Sequence, residues 1–422
     1  MGRPAGNHKL KAARLAKGYG SQRALADALN LAARDLGLRG VSVGERQVRR
    51  WESESPPWPQ SHHQQVLTRV LGLGMEDLGL SPTREEGALT VGSARRATDS
   101  WVRSSANSAP VTQASPQGQS SVAASFAEIA EAHRKLYWVA DPAVLHGAVV
   151  ENVRLGQRLL PGMVGAARSV LAHALAESSL LAGRIEFFDL GQRDTASEPL
   201  VRALQFAGEA EDFLLGAAIL GHAAFVPGWA GDRDGASDRL MAARTYARRA
   251  EAPGLLWAWL DCVDAECATL CGDIKDALAL ISRAESRLIE AEAQPAVAWM
   301  DWFSLVRLAA FKGNVEFKAG HFKRAETNLL RAHAEIPSAE TKQRAIISAD
   351  LAAAKVSQND YESCCGHLHH ALDDLSLQWY ATAMDRIRDV RRSLRPWQDE
   401  RCVRELDERL YDWTNTVNTL RE

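Results

Sequence analysis

From Phe126 onward the sequence repeats a spacing that suits one kind of structure, pairs of antiparallel helices stacked on their neighbours. The clearest copy is Gly313, Phe317, Gly320, Phe322, Ala325, Leu329, Ala332 and Pro337. Its small residues fall where two helices must touch, and its large ones fall where the gap between them must be filled. Fainter copies align on it: Asp360, Tyr361, Cys364, Leu368 and Ala371 after it, and Gly272, Asp273, Ile274, Ala277, Ile281 and Ala284 before it. A further copy runs Gly191, Ala196, Leu200, Ala203. Alternating β-branched runs are almost absent, so the period is that of helices and not of strands. One such hairpin cannot cover its own apolar face, and the copies are expected to stack into an α-solenoid over residues 126–422. Phe322 and the equivalent Tyr361 lie 39 positions apart (361 − 322), so the helices of this unit are long.

The first 80 residues read differently. Short helical patterns cover residues 8–17, 21–36, 43–52 and 61–71, with a last turn at 75–78. From 81 to 125 Ser, Ala, Thr, Gly, Pro and Gln dominate, and large apolar residues are too few to offset the entropy of ordering. That stretch reads as a flexible linker, with Trp101 exposed on it. The chain is therefore expected to be all-α, with domains at 1–80 and 126–422 joined by a linker at 81–125. Its net charge of −3 hides an asymmetry. Residues 1–55 hold 11 Lys and Arg against 5 Asp and Glu, a charge of +6, which leaves −9 for the remainder. A basic head on an acidic body points to a polyanion as the head's partner.

Residues 42–52, Ser-Val-Gly-Glu-Arg-Gln-Val-Arg-Arg-Trp-Glu, concentrate that positive charge. Ser42 followed by Glu45 has the spacing of a capping box, which predicts a helix start. With 3.6 residues per turn, Arg46, Arg49 and Arg50 share one face with Gln47 beside it, while Gly44, Val48 and Trp51 share another. Guanidinium groups pair with phosphates or bidentately with guanine edges, and glutamine does so with adenine. The segment reads as a helix anchored by Val48 and Trp51 that presents its basic face to double-stranded DNA. A solvated basic face on a protein-interaction domain is the alternative.

The segment from Leu10 to Ala26, which contains Arg14, Gln22 and Arg23, resembles the first two helices of the phage-repressor (Xre/Cro-like) helix-turn-helix domain. Residues 48–52 resemble the end of that family's recognition helix, so the resemblance covers about residues 8–80. It implies that Gln22 opens the second helix and holds a phosphate, and that the DNA-binding set is Arg14, Gln22, Arg23, Arg46, Gln47, Arg49 and Arg50. Between Leu29 and Val41 the chain carries about ten residues more than the compact family pattern, so helix two is longer or its turn becomes a loop. The repeats resemble the tetratricopeptide (TPR) unit of about 34 residues. The whole combination, including the closing stretches from Arg386 to Trp397 and from Arg404 to Leu410, is similar to a group of actinobacterial regulators of development or secondary metabolism. That similarity implies a cytoplasmic transcriptional regulator acting as a homodimer. Its TPR-like body would dimerise or receive a peptide, small-molecule or protein effector. A TPR scaffold whose basic head binds an acidic protein or RNA, and which regulates no promoter, is the other expectation.

Other chemistry finds no support in the sequence. Cys262, Cys267, Cys271, Cys364, Cys365 and Cys402 form no paired CxxC spacing and read as reduced thiols. The run from Cys364 to His370 places His367 and His370 at i, i+3, but Cys364 falls at a packing position of the repeat and no second ligand pair accompanies it. Cys267 and Cys271 likewise read as helix-packing thiols. No Gly-rich phosphate loop, nucleophile elbow or HExxH is present, so neither an enzyme nor a cofactor is expected. Residues 213–226 are the nearest thing to a membrane span, yet they are short, contain His222 and end at Pro227, and so predict a buried helix. Trp257, Trp259, Trp299, Trp302, Phe303 and Trp379 read as core packing, with no ligand site named from them.

Overall fold

A computed structural model of the chain describes residues 7–17, 19–36, 38, 42–53, 56–75, 78–80, 115–291 and 297–419. Every regular element among these residues is helical, and the chain divides into two compact units at Thr112 and Gln113. Residues 81–114, Trp101 among them, lie outside the described residues.

In the first unit α1 (His8–Ala16), α2 (Gln22–Asp35), α3 (Glu45–Trp51) and α4 (Ser61–Leu71) enclose one apolar core. Leu10, Leu25, Leu29, Val48, Trp51 and Leu67 are wholly buried in it. The Ser21 hydroxyl accepts from the Ala24 amide and starts α2. Asn7 does more than cap α1: its Oδ1 accepts from the Leu10 amide while its Nδ2 donates to the carbonyls of Trp51 and Leu78. One side chain thus joins the start of α1 to the end of α3 and to the segment after α4. Part of the extra length before Val43 is taken up by α2 itself, which runs for 14 residues, and residues 37 and 39–41 lie outside the described residues. Asn30 fixes the backbone just ahead of α3. It donates to the Val43 carbonyl at 2.8 Å and accepts from the Val43 amide at 2.7 Å. The expected capping box does not form. Helix α3 begins at Glu45 with Gly44 in the cap position, so Ser42 lies two residues too far upstream, and the Glu45 carboxylate turns to Arg49 Nη2 at 2.8 Å instead.

The second unit starts earlier than the composition suggests. Helix α5 (Pro116–Leu136) occupies the last residues of the expected linker, with Ser115 accepting from the Gly118 amide and proline in the first turn. Gln119 and Ala123 are buried together with Phe126 and Ala130, so a stretch that looks low in apolar content packs because its helix comes close to its neighbours. Then follow α6 (Pro142–Leu159), α7 (Gly165–Arg184), α8 (Ser197–Glu209), α9 (Phe213–Trp229), α10 (Arg233–Arg249) and α11 (Gly254–Leu270). The chain continues through α12 (Ile274–Ala291), α13 (Leu305–Lys318), α14 (Phe322–Glu335), α15 (Thr341–Val356), α16 (Tyr361–Leu377), α17 (Ala381–Ser393) and α18 (Arg401–Thr419). Consecutive helices pair as hairpins, α7 with α8, α9 with α10, α11 with α12, α13 with α14 and α15 with α16, in a solenoid-like stack.

The repeat is set at its turns and at its small residues. Gly191, Glu211, Gly231, Glu251 and Gly272 all have positive φ and fall every 20 or 21 residues, which makes the hairpin unit about twice that length. Aspartates directly after Glu211, Gly231 and Asn359 cap the next helix through their side chains. At Gly313 a β-carbon would stand 2.5 Å from Leu329 Cγ, and at Gly228 one would stand 2.5 Å from Cys267 Sγ. The cysteine at 267 is therefore a packing thiol. Pro227 does not end α9, which continues to Trp229; in the last turn a proline forfeits only one hydrogen bond of its own. No helix among the described residues is long and apolar enough to cross a membrane.

A simple solenoid touches only its neighbours, whereas here early and late turns meet. After α7 the chain widens into a π-type turn, Ile185–Asp189, which carries Asp189 to the interior. Lys342 Nζ lies 2.6 Å from Asp189 Oδ1, both side chains being essentially without solvent exposure, and donates to the Tyr137 carbonyl at 2.8 Å. Gln378 donates to the Tyr137 and Ala140 carbonyls, Thr382 to that of Phe188, and Arg193 to the Asp385 carboxylate. Burial pushes the Asp189 carboxyl up and the Lys342 ammonium down, each opposed by the charge of the other. Lys342→Met is expected to cost about 3–5 kcal/mol, because it leaves a buried carboxylate without its cation. Adding Asp189→Asn should recover much of that loss, a double-mutant cycle that urea unfolding of the full chain reads directly.

Candidate functional site

The basic face expected at residues 46–50 is present on α3. Arg46, Arg49 and Arg50 are exposed, Gln47 is half-buried beside them, and Val48 and Trp51 point into the core with no exposure at all. Trp51 meets the His63 ring edge-on at 5.4 Å, which anchors α3 against α4. Arg23 is exposed on the first turn of α2.

Two of the expected DNA-binding residues serve the head's own architecture. Arg14 is 5% exposed, and its Nε lies 2.6 Å from Glu52 Oε1 while Nη1 donates to the Tyr19 carbonyl. It is removed from the surface set, since a guanidinium that already holds a carboxylate inside the fold has no free fork for phosphate. Gln22 donates to Glu52 Oε2 at 2.7 Å and accepts from Arg49 Nε at 3.3 Å. Glu52 is the hub of this chain of contacts, joining α1, the start of α2 and the end of α3. The sequence reading passed over it because an acidic residue at the end of a basic helix looks like a solvated partner. Arg46 and Arg50, by contrast, are exposed and make no ion pair among the described residues.

The second unit holds a cavity of about 110 Å³ that the sequence reading did not foresee. Trp259 and Trp302, assigned there to core packing, are indeed buried but also form part of its wall. Packing does account for Trp379, which stands 5.9 Å from Trp413, and for Trp257, which lies under the Arg287 guanidinium. Four charged or titratable groups on the cavity wall differ in what satisfies them. Arg386 is held by Asp350 and by Glu266 at 3.0 Å. Arg307 is held by Glu340 at 2.6 Å and lies over the Trp138 ring. His222 packs 4.7 Å from Trp259 and 5.0 Å from Trp302, and burial lowers its pKa well below the usual histidine value, so the ring is neutral at pH 7. Arg184 is 6% exposed, with its guanidinium 4.7 Å from both the Tyr137 and Trp302 ring centres, and it has no hydrogen bond or ion pair to any described side chain. The signal for it was present: Arg184 ends a run of Ser, Leu, Ala and Gly that is buried on every side.

The histidines and cysteines of α16 do not converge. Cys364 and Cys365 are buried, His367 and His370 are 6.4 Å apart between ring centres, and His369 faces Arg409. Among the described residues no group of three or more His, Cys, Asp or Glu could hold a metal ion.

No protein-family model matches the chain, and no curated protein matches it. Among solved structures, BtubC (BKLC) from P. vanneervenii is similar over 55% of this chain and 89% of that one, at 14% identity and a TM-score of 0.40.

Glu52→Ala is expected to destabilise a fragment of residues 1–80 by about 3–5 kcal/mol in urea, since it leaves Arg14 buried and unpaired. Arg50→Ala should stay within about 0.5 kcal/mol of wild type, as exposed substitutions do. Equal losses in the two variants would mean that the buried and exposed faces are assigned wrongly.

Proposed function

We propose that the chain is a DNA-binding transcriptional regulator. Its head docks α3 against double-stranded DNA, and its helical-repeat body brings heads together or receives an effector. The observation that carries this reading is the geometry of α3: Val48 and Trp51 lock the helix to the core, and the opposite face delivers Arg46, Gln47, Arg49 and Arg50 to solvent. A helix that is rigidly seated and basic on its free face has what base-edge and phosphate contacts require. Arg23 on α2 adds a further contact to the phosphate backbone. The net positive balance of residues 1–55, on a chain of net charge −3, supports the same reading, because a polyanion would be attracted to the head and repelled by the net-acidic body.

Two heads on one dimer would span half-sites about 34–36 Å apart, one turn of duplex. Their affinities would multiply through the effective concentration of the second head, which does not require a rigid connection between the units. The resemblance to actinobacterial regulators supports development or secondary metabolism as the process controlled.

Titration of the full chain with duplex DNA over a salt series tests the proposal. Affinity should fall steeply with salt, and Arg46→Ala and Arg50→Ala should each reduce the slope of log affinity against log salt by about 1 without changing the unfolding midpoint. Absence of any duplex binding at low salt would overturn it. Binding confined to RNA or to an acidic protein would instead identify a scaffold.

A further inference from the structure

Of the arginines on the cavity wall, Arg184 alone lacks a carboxylate among the described residues. Arg386 has Asp350 and Glu266, and Arg307 has Glu340. Arg184 is almost entirely desolvated, and what it has in place of a counter-ion is two aromatic faces, Tyr137 and Trp302, at 4.7 Å each. Asp189, on the following turn, feels the Arg184 charge, but its carboxylate is bound by Lys342 at 2.6 Å. Cation–π contacts offset part of the cost of burying a guanidinium, but they leave its in-plane N–H groups without acceptors. A buried cation in that condition is poised for an anion that arrives from outside the chain.

We infer that this cavity is a binding site for a small organic anion with a flat apolar body, an aromatic carboxylate whose two oxygens meet the Arg184 fork. The walls suit the body of such a molecule: Phe225, Trp259, Trp302 and Phe311 are aromatic, and the neutral His222 packs tilted and edge-on among them. Size agrees as well. The cavity of about 110 Å³ is several times the ~10–15 Å³ that admits one water, on the scale of a one-ring or two-ring acid. Orientation follows from charge. Glu266 and Asp350 line the side shared with a second cavity of about 260 Å³, so a carboxylate is repelled there and drawn to Arg184. A bidentate carboxylate–guanidinium contact away from bulk water is stronger than the same pair at a surface. The inference concerns the body alone and holds whether or not the head binds DNA.

The test is calorimetric titration of the full-length protein, without DNA, with 1-naphthoate, benzoate and the neutral isostere 1-naphthamide. A saturable one-to-one isotherm is expected for at least one of the two acids. The amide should bind about 10- to 100-fold more weakly than naphthoate, the loss of a charge-assisted contact. Arg184→Gln should lose the acid and leave any amide binding unchanged, with retained helical circular dichroism confirming its fold. Should that variant unfold, Ala310→Phe, which fills the cavity from the α13 side and keeps Arg184, must abolish binding of the acid. No saturable binding of either acid up to millimolar concentration would overturn the inference. Equal affinity for acid and amide, or binding unchanged in a folded Arg184→Gln or Ala310→Phe, would overturn it too.

Discussion

The body's architecture depends on one buried ion pair, Lys342 with Asp189, which joins the turn after α7 to the start of α15. Stacked hairpins determine twist and pitch locally, but nothing in nearest-neighbour packing dictates that the early turns of a superhelix should meet the late ones. Here they meet through polar groups. The Lys342 ammonium, the Gln378 amide and the Thr382 hydroxyl reach the carbonyls of Tyr137 and Phe188 and the Asp189 carboxylate. A pair of this kind contributes little net stability beyond what an apolar contact would, because desolvating both charges cancels most of their attraction. Its effect is on alternatives: a docking displaced by one turn would leave a lysine and an aspartate buried apart, at a cost of several kcal/mol each. Closure is what deepens a concave surface into a pocket, so the lining of Arg184, His222, Trp259 and Trp302 is brought together as that junction holds.

The head uses the same device on a smaller scale. Glu52 gathers Arg14 from α1 and Gln22 from α2 at the end of α3, and Asn30 holds both backbone groups of Val43 just before α3 begins. Between them the short helix is clamped at its two ends. A seven-residue helix is far below the length that holds itself together in water, so its direction must be imposed by tertiary contacts. Trp51 supplies the apolar part of that constraint, and Glu52 and Asn30 supply the polar part.

How much of this was legible in the sequence varied with the kind of interaction. The helices of the head, the hairpin copies at Gly313 and Leu329 and the all-α class followed from periodicity, because apolar spacing is a local property of the chain. The faces of α3 followed for the same reason. What escaped were long-range polar contacts. Ser42 and Glu45 have the spacing of a cap, yet the position of the helix start was decided by Asn30, 13 residues upstream of Val43. Arg14 looked like a surface contact because its partner Glu52 lies 38 residues away. The segment from 116 to 125 read as a linker because Ala, Ser and Gln are poor in apolar area, and only the close approach of a neighbouring helix makes such a face worth burying. Arg184 escaped for the converse reason: its environment is assembled from Tyr137 and Trp302, which are remote in sequence on both sides.

Three arginines show why residue type alone says so little about role. Arg14 is buried and paired, and its charge is spent within the fold on Glu52. Arg50 is exposed with no ion pair among the described residues, so its field reaches into solvent over roughly a Debye length, about 8–10 Å at ordinary ionic strength, and weakens with salt. Arg184 is buried with no ion pair among the described residues, and its field is little screened by water. The first condition yields a structural tie, the second a non-specific attraction for a polyanion, and the third a demand for one anion of the right shape. On the proposed reading, a chain that carries all three would recognise an extended charged partner through its head and a small ligand through its body. The two kinds of recognition then respond differently to salt, because only the exposed set is screened by it.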